Sequence, residues 1–448
     1  MMKKMISVFD TGAVANADDL QTKAFQKALD EIYFAGGGTV EVPAGKYRIG
    51  GIRIRSNTTL LLRAGAVIYG TRDVEKYGVL EDDMIEPLPE AERTDKVWEK
   101  TRKGVERDYT FLRAGGRWNH AIIRAYGAEN IAIIGESGSL IDGDNSYDEI
   151  GEELYRGPHG INMHRCKNIT FSGYTIANTG NWAHAIYYSE NITCDRVTVK
   201  GGHDGTHLTR CENIRVLNSE FYTGDDCVAG FGNLNTLVEN CICNTACSGL
   251  RFGGTNLLVQ KCRFYGPAKY FFRGSLTKEE KAAGATVASS PRTNMLSVLT
   301  YYADYSVEIP LQPGNLVIRD CTVENADRFL HYNFSGNERW QLNRPLQSVR
   351  FENIKAKGIS MPLTAYGDPD VPLNLELCDL DLSFSENMKG MPAIRGAHCE
   401  RIRMDRVKVE GADLIVKAWS PIGMLTVDGM PAPERVIRAE EPFSCKTI

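Results

Sequence analysis

The sequence predicts an all-β fold, a single-stranded parallel β-helix with a short N-terminal helix. The chain contains 43 glycines and many short runs of β-branched residues, which is typical of a protein rich in strands. A pair made of Asn and an apolar residue also recurs, in steps of 23, 22, 22 and 21 residues from Asn168 onward. A constant period in the low twenties with short strands indicates a solenoid. The sequence lacks the repeated leucines of a leucine-rich repeat, the competing solenoid, so a parallel β-helix is favoured.

The N-terminal helix is expected from about Ala17 to Phe34, where apolar residues recur at helical spacing. Asp18 and Asp19 are candidates to cap its first turn, and the run Gly36–Gly38 is expected to end it. The predicted apolar stripe consists of Leu20, Phe25, Ala28, Leu29 and Tyr33.

Each period is interpreted as one coil, so residues at equal offsets are expected to stack about 4.8 Å apart in adjacent coils. Asn side chains stacked in this way hydrogen-bond along the column. Cysteines at constant offsets from the Asn are expected to be buried packing residues. The Asn column comprises Asn130, Asn168, Asn191, Asn213, Asn235 and Asn256. The cysteines are Cys166, Cys211, Cys241 and Cys262. Less regular coils begin near Asn315, Val349, Asn374 and Ile402.

The period implies one β-helix domain over residues 1–448, since a solenoid grows coil by coil beyond the usual size of a domain. Residues 1–50 are interpreted as a cap region that contains the helix, and residues 120–360 as the coils that carry the candidate catalytic residues. Two stretches interrupt the period, 72–118 and 276–293, and are interpreted as loop insertions. These insertions are interpreted either as loops with a binding role or as solvated surface loops.

The composition excludes several classes of function. The formal net charge of −5 argues against nucleic acid as the main partner, because nucleic acid favours a basic surface. No window of about 18 apolar residues exists, so no membrane span is predicted. No apolar signal segment follows the first two lysines, so we expect a cytoplasmic protein whose 12 cysteines are reduced thiols. No sequence feature indicates the oligomeric state.

Three aspartates are the strongest candidates for chemistry. Asp204 and Asp226 each lie 13 residues after the Asn of their coil, so the period places them in one column, with Asp225 beside Asp226. Clustered carboxylates raise at least one pKa in the group, which costs free energy. Two carboxylates in unequal surroundings are what general acid and base catalysis requires. The alternatives are a calcium site and a turn in which Asp supports the backbone.

Cationic and aromatic side chains recur in the same coils. The residues at offset 16 in four consecutive coils are His184, His207, Ala229 and Arg251. Lys269 and Arg273 follow in the next coil. Such cations suit a substrate with carboxylates, which Arg binds bidentately. Alternatively, they offset the negative charge of the aspartates. Taken singly, the histidines also fit structural roles. Trp182 suits stacking on a sugar, although aromatic rings also fill β-helices. The other aromatic residues of these coils are Tyr187, Tyr188, Tyr222 and Phe231.

Two groups of motifs carry a family resemblance. The first is Val8-Phe9-Asp10-Thr11-Gly12-Ala13 with the stretch from Gly36 to Tyr47, which many β-helix carbohydrate enzymes share. The second and more specific group is Gly202-His203-Asp204-Gly205 followed by Gly224-Asp225-Asp226. Over roughly residues 6–360 the chain resembles glycoside hydrolase family 28, the polygalacturonase-like, right-handed β-helix enzymes that degrade pectin. In that family the second group reads Asn-Thr-Asp-Gly and Gly-Asp-Asp.

The resemblance implies a role for each aspartate. Asp225 would be the general acid, and Asp204 and Asp226 would position and deprotonate the attacking water. Enzymes of this family invert the anomeric centre, which requires room for that water. No cofactor and no metal are implied. The candidate substrate-binding residues are His184, His203, His207, Arg251, Lys269, Arg273 and Trp182.

The chain departs from the family pattern at two places. The family motif Gly-His-Gly aligns with Ala246-Cys247-Ser248-Gly249, so its histidine is replaced by Cys247 or Ser248. The family motif Arg-Ile-Lys aligns with Arg273-Gly274-Ser275, so its lysine is missing. The mechanism and the identity of the sugar are therefore less determined than the aspartates.

The sequence thus predicts an inverting, exo-acting glycoside hydrolase whose partner is a pectin-like or related acidic oligosaccharide or polysaccharide. One alternative is a β-helix polysaccharide lyase or epimerase that acts on uronate glycans. The other is a non-catalytic carbohydrate-binding β-helix. Neither nucleic acid nor membrane is an expected partner.

Overall fold

The structure is a computed structural model that describes residues 4–78, 88–89, 92, 98–100, 106–108, 113–146, 156–272, 294–303, 311–336, 338–341 and 344–439. The chain divides into two compact units. The N-terminal unit comprises Met1–Trp98, Asp108–Asp225 and Tyr270–Arg292, and the C-terminal unit comprises Glu99–Arg107, Asp226–Lys269 and Thr293–Ile448. The predicted insertion at 276–293 and most of the insertion at 72–118 lie outside the described residues.

The N-terminal unit is built from short parallel strands, three in each complete coil. Its elements are β1 (Lys4–Ser7), α1 (Thr22–Phe34), β2 (Gly38–Val42), β3 (Gly45–Ile49), β4 (Ile52–Arg53), β5 (Thr58–Leu62), β6 (Ala66–Gly70), β9 (Ala121–Tyr126), β10 (Glu129–Gly135), β11 (Leu140–Asp142), β12 (His159–His164), β13 (Lys167–Ser172), β14 (Thr175–Ala177), β15 (His184–Tyr187), β16 (Glu190–Asp195), β17 (Thr198–Gly201), β18 (Thr206–Thr209), β19 (Glu212–Leu217) and β20 (Glu220–Thr223). Most residues of two further short strands, β7 (Trp98–Lys100) and β8 (Glu106–Asp108), belong to the C-terminal unit.

The register of these strands matches the sequence period. Ile169, Ile192 and Ile214, the apolar partners of three repeat asparagines, pair in parallel across β13, β16 and β19. Side chains that point inward at one register position form a continuous buried stack. That stack consists of Val40, Leu60, Ile133, Phe171, Cys194 and Val216.

The C-terminal unit continues the pattern with longer strands. Its elements are β21 (Val228–Glu239), β22 (Ile242–Thr245), β23 (Ser248–Gln260), β24 (Arg263–Tyr265), β25 (Met295–Tyr301), β26 (Gly314–Glu324), β27 (Ala326–Asn333), β28 (Ser348–Ile359), β29 (Leu363–Tyr366), β30 (Leu373–Phe384), β31 (Pro392–Ala397), β32 (Cys399–Glu410), β33 (Asp413–Ala418), β34 (Ile422–Val427), β35 (Met430–Pro431) and β36 (Val436–Arg438). Leu316, Val349, Leu375 and Ile402 pair in parallel, which confirms the coils expected there. The predicted parallel β-helix is confirmed.

The predicted asparagine ladder is present in both units. In the N-terminal unit, the Nδ2 of each Asn donates to the Oδ1 of the Asn one coil earlier, at 2.8–3.2 Å. In the C-terminal unit the same bonds measure 2.9–3.0 Å. These asparagines all have φ between +48° and +60°, a left-handed conformation that Asn tolerates better than most residues. The ladder consists of Asn57, Asn130, Asn168, Asn191 and Asn213 in one unit and Asn235, Asn256 and Asn315 in the other.

The helix prediction needs two corrections. The helix begins at Thr22 and not near Ala17, and its N-cap residue Gln21 makes no capping hydrogen bond, so neither Asp18 nor Asp19 caps it. The buried face consists of Phe25, Ala28, Leu29 and Ile32. Leu20 precedes the helix and is exposed, and Tyr33 is half-buried. The glycine run ends the helix as expected, because all three of its residues have positive φ.

The cysteines that keep a constant offset are buried, as predicted, at 0–3% exposure. Eleven described cysteines are free thiols. Across the described residues, no helix combines the length and the apolar character needed to cross a membrane.

Candidate active site

Asp204 lies in the turn between β17 and β18, where backbone hydrogen bonds hold it. Its carbonyl oxygen accepts from the N–H of Ala183 at 3.0 Å, and that of Gly205 accepts from His184 at 3.1 Å. The residue is 5% exposed. Its Oδ2 accepts a hydrogen bond from Nδ1 of His207 at 2.8 Å. This bond matters because a buried carboxylate that lacks donors destabilises the fold.

An aromatic cluster surrounds His207. Its ring lies parallel to that of Trp182, with centroids 3.7 Å apart. Trp182 packs edge to face on Trp118 at 5.5 Å, and His159 lies 5.4 Å from Trp182 and 5.7 Å from Trp118. Burial, with His207 and Arg156 nearby, lowers the pKa of His159 to about 3, so this ring is neutral near pH 7. We call Trp118, His159, Trp182 and His207 the aromatic wall.

Asp225 follows β20 in a turn that requires glycine before it. A Cβ at Gly224 would lie 1.9 Å from the carbonyl oxygen of Phe271, so a larger residue would displace backbone. Thr223 Oγ1 donates to the carbonyl oxygen of Asp225 at 2.7 Å. The Asp225 side chain is 11% exposed, and Nη1 of Arg156 lies 3.9 Å from its Oδ2. The close approach of backbone explains the glycine of the Gly-Asp-Asp motif.

Asp226 is the next residue and belongs to the C-terminal unit, where two groups hold its carboxylate. The backbone N–H of Ser248 donates to Oδ1 at 2.8 Å, and Nη1 of Arg251 lies 3.7 Å from Oδ2. Ser248 Oγ donates to Thr300 Oγ1 at 3.0 Å, which fixes the strand that supplies the N–H. Both contacts stabilise negative charge on a side chain that is 2% exposed.

Arg251 packs against two aromatic rings. Its guanidinium carbon lies 4.3 Å from the ring centroid of Tyr302 and 4.9 Å from that of Trp340. Cation–π contacts of this kind fix the orientation of a guanidinium as well as stabilising it. Arg251 therefore presents its charge to Asp226 from a rigid position.

The predicted column of His184 and His207 is wrong. His184 pairs with Thr206, and His207 pairs with Ala185, so the two rings lie on opposite faces of the strands. The reason is one extra residue in the turn before β15, since residues 178–183 replace the five residues 201–205 of the next coil. His184 points into the core, where burial lowers its pKa to about 4. Its Nε2 accepts from the hydroxyl of Tyr174 at 2.9 Å.

The remaining predicted residues are placed as follows. Ala229 and Arg251 pair in register, as the offset required. His203 is buried beside Asp204 in the sequence, at 2% exposure. Lys269 is exposed, and its backbone N–H donates to Oδ1 of Asn244 at 2.8 Å. Arg273 lies outside the described residues.

The structure describes the position at which this chain lacks the histidine of the family motif. Cys247 is half-buried, and its N–H donates to Oγ1 of Thr245 at 2.9 Å, so this position holds no imidazole. In the N-terminal unit an imidazole does contact an aspartate, that of His207 on Asp204. The chain therefore supplies an imidazole to the aspartates from a different coil than the family motif does.

Several side chains around the aspartates were missed from the sequence. Arg156 and His159 lie between Asn130 and Asn168, where the step is 38 residues and not about 22, so no offset could be counted for them. Trp118 ends the predicted insertion at 72–118. Tyr302 and Trp340 lie beyond the regular repeats, and only the fold brings them to Arg251.

The carboxylates are of the type that calcium prefers. The calcium site that the sequence leaves open as an alternative stays a prediction.

Comparison with known proteins shows which family the chain resembles. Residues 105–254 match the family model "Glycosyl hydrolases family 28". The predicted resemblance to family 28 is confirmed. The matched segment contains all three aspartates and the histidine that contacts Asp204.

Individual relatives agree with the family 28 match. A probable polygalacturonase of Vitis vinifera is 30% identical over 231 residues, which cover 50% of this chain and 43% of that protein. An exo-poly-alpha-D-galacturonosidase of Dickeya chrysanthemi is 24% identical over 279 residues, or 51% of this chain and 42% of that protein. The chain thus spans less than half the length of these curated relatives.

One solved structure supports the fold over almost the whole chain. A hyperthermoactive exopolygalacturonase of Thermotoga maritima superposes with a TM-score of 0.57 at 16% identity, covering 96% of this chain and 93% of that chain. At this identity the similarity concerns the β-helix architecture alone.

Proposed function

We propose that the chain is a glycoside hydrolase that cleaves O-glycosyl bonds in pectin-like or related acidic oligosaccharides. One observation carries the proposal. The segment that matches family 28 contains three aspartates, and each of them is buried at the end of a strand with defined donors or cations around it. Their surroundings differ, which is the condition for one carboxyl group to act as acid and another as base.

Each aspartate has a role in the proposed mechanism. Asp225 protonates the leaving oxygen as the general acid. Asp204 and Asp226 orient the attacking water and accept its proton, and the reaction inverts the anomeric centre. His207 holds Asp204 in one orientation through the bond from Nδ1, and Ser248 and Arg251 hold Asp226 through a hydrogen bond and a charge contact.

We further propose exo-attack, which releases one sugar at a time from a chain end. The relative from Dickeya chrysanthemi is named as an exo-acting enzyme, which supports this proposal. The cytoplasmic location stays a prediction of the sequence, and fractionation of the producing cell with an antibody to the chain would check it.

Product analysis tests the proposed function. Oligogalacturonides, rhamnogalacturonan fragments and neutral oligosaccharides are incubated with the protein, and the products are followed by mass, by ultraviolet absorbance and by proton NMR of the anomeric position. We expect a saturated monosaccharide, released first with the inverted anomeric configuration. The variant Asp225→Asn should lower kcat by at least about 100-fold, the low end of a general acid contribution. A folded Asp225→Asn protein with the wild-type rate would contradict the assigned role.

The same experiment decides between the alternatives. A gain in ultraviolet absorbance means that a double bond has formed, and hence a lyase. A change at C5 of the sugar without cleavage means an epimerase. Tight binding without any product means a non-catalytic carbohydrate-binding protein.

A further inference from the structure

Arg156 is placed beside the proposed general acid without a close hydrogen bond to it. Its Nη1 lies 3.9 Å from Oδ2 of Asp225, which is longer than a hydrogen bond, and its side chain is 17% exposed. Its Nε is buried and has no hydrogen-bond partner among the described residues. The partly exposed guanidinium, which makes no close hydrogen bond to Asp225, can therefore donate to an added acceptor.

Arg156 also carries the positive charge at this place in the N-terminal unit. The nearby ring of His159 is fully buried, and its lowered pKa keeps it neutral near pH 7. A neutral imidazole of the aromatic wall and the guanidinium of Arg156 thus lie near each other.

The negative charge of the aspartates explains why an anionic substrate would need a cation such as Arg156. Asp204 and Asp225 bring two acidic groups to this unit, and their field opposes an anionic sugar. A guanidinium binds a carboxylate through two parallel N–H donors, which offsets that repulsion and fixes the orientation of the sugar. The lysine of the Arg-Ile-Lys motif is absent from this sequence, so a cation from another coil is needed.

We propose that Arg156 binds a carboxylate of the substrate next to the scissile bond, so that the N-terminal unit selects a uronic acid over the matching neutral sugar. The inference rests on the proposed function, because it names the substrate class of that site. Arg251 is the competing cation, but it already contacts Tyr302, Trp340 and Asp226.

The test compares two substrates that differ in charge alone. Trigalacturonate and its carboxyl-reduced counterpart, galactotriose, are given to the wild type, to Arg156→Gln and to a control, Arg196→Gln. Arg196 is 66% exposed in the same unit and pairs with its neighbour Asp195, so its loss should affect neither substrate.

We expect Arg156→Gln to lower kcat/KM for trigalacturonate by about 10- to 100-fold and for galactotriose by less than about threefold. Arg156→Lys should recover part of the loss, since it keeps the charge but not the planar pair of donors. Equal losses on both substrates would overturn the proposal, because Arg156 would then act through Asp225 or through folding. An unchanged rate on trigalacturonate would overturn it as well.

A binding measurement separates this proposal from the proposed function. If the wild type cleaves neither substrate, the proposed function fails, and trigalacturonate is titrated calorimetrically into the wild type and Arg156→Gln. Binding that weakens by about tenfold or more in the variant supports the carboxylate site. Equal binding, or no binding to either protein, overturns it.

Discussion

The bond between His207 and Asp204 can be separated from the stacking of His207 on Trp182 by two substitutions. His207→Phe keeps a flat ring parallel to Trp182 but removes the Nδ1 donor, which lies 2.8 Å from Oδ2 of Asp204. His207→Asn loses most of the ring, while its side-chain amide reaches the position of Nδ1. His207→Phe therefore removes the hydrogen bond and keeps the stacking, whereas His207→Asn removes most of the stacking and keeps the hydrogen bond.

The expected size follows from the geometry. A hydrogen bond to a charged, buried carboxylate contributes about 1.5–3 kcal/mol, so His207→Phe should lower kcat by roughly 10- to 150-fold if the bond orients the base. The aromatic pair contributes about 0.5–1.5 kcal/mol, so His207→Asn should lower the free energy of unfolding by that amount and change kcat by only a few-fold. Both rings involved are buried, so solvent does not replace the lost contacts.

The assay is the initial rate on trigalacturonate together with urea unfolding followed by tryptophan fluorescence. Near-ultraviolet circular dichroism controls for the packing of Trp182. The reasoning is refuted if His207→Phe turns over at the wild-type rate, or if His207→Asn is as slow as His207→Phe.

Three further predictions concern stability. Because the pKa of His184 is about 4 in the folded protein and about 6.5 when unfolded, the unfolded state gains a proton first as the pH falls. The free energy of unfolding should therefore decrease by roughly 3 kcal/mol between about pH 6.5 and pH 4, and His184→Gln should flatten this pH dependence in urea titrations. Asn191→Ala should lower the free energy of unfolding by about 2–4 kcal/mol, because it removes two ladder hydrogen bonds and places Ala at a φ of +56°. Asn191→Gly should lower it by less, since Gly adopts this φ without strain. An equal loss in both variants would refute the backbone contribution. Arg251→Lys should lower the free energy of unfolding by about 1–2 kcal/mol, since Lys keeps the charge but not the planar contact with Tyr302 and Trp340. An unchanged urea midpoint would contradict this prediction.

The fold could be predicted because the period is written directly into the sequence. Each ladder asparagine serves a hydrogen-bonded column and a left-handed turn, so the same residue type recurs wherever a coil begins. Asp204 and Asp225 were found from the motifs and the offsets, and the structure gives each of them buried surroundings. Counting residues from the repeat asparagine predicts the position of a side chain in its coil as long as every turn has the same length.

The site could not be completed from the sequence for the same reason. His184 was assigned to the aspartates because the extra residue in the turn before β15 is invisible to a count from Asn168. Arg156 lies in the irregular step of 38 residues between Asn130 and Asn168, and Trp340 reaches Arg251 from a distant part of the chain. Contacts of this kind depend on three-dimensional packing, which a repeat pattern does not encode.

The turn before β15 also shows how such a molecule can change what it does. Side chains alternate between the interior and the outside along a strand, so a gain or loss of one turn residue exchanges the two sets over the whole strand that follows. Here one residue of turn length sends one imidazole inward and leaves the next on the side of an aspartate. Insertions and deletions in these turns would therefore be an efficient source of new specificity, because they alter several site positions at once while the neighbouring coils keep their pairing. Libraries that vary turn length would explore this protein more widely than libraries of substitutions.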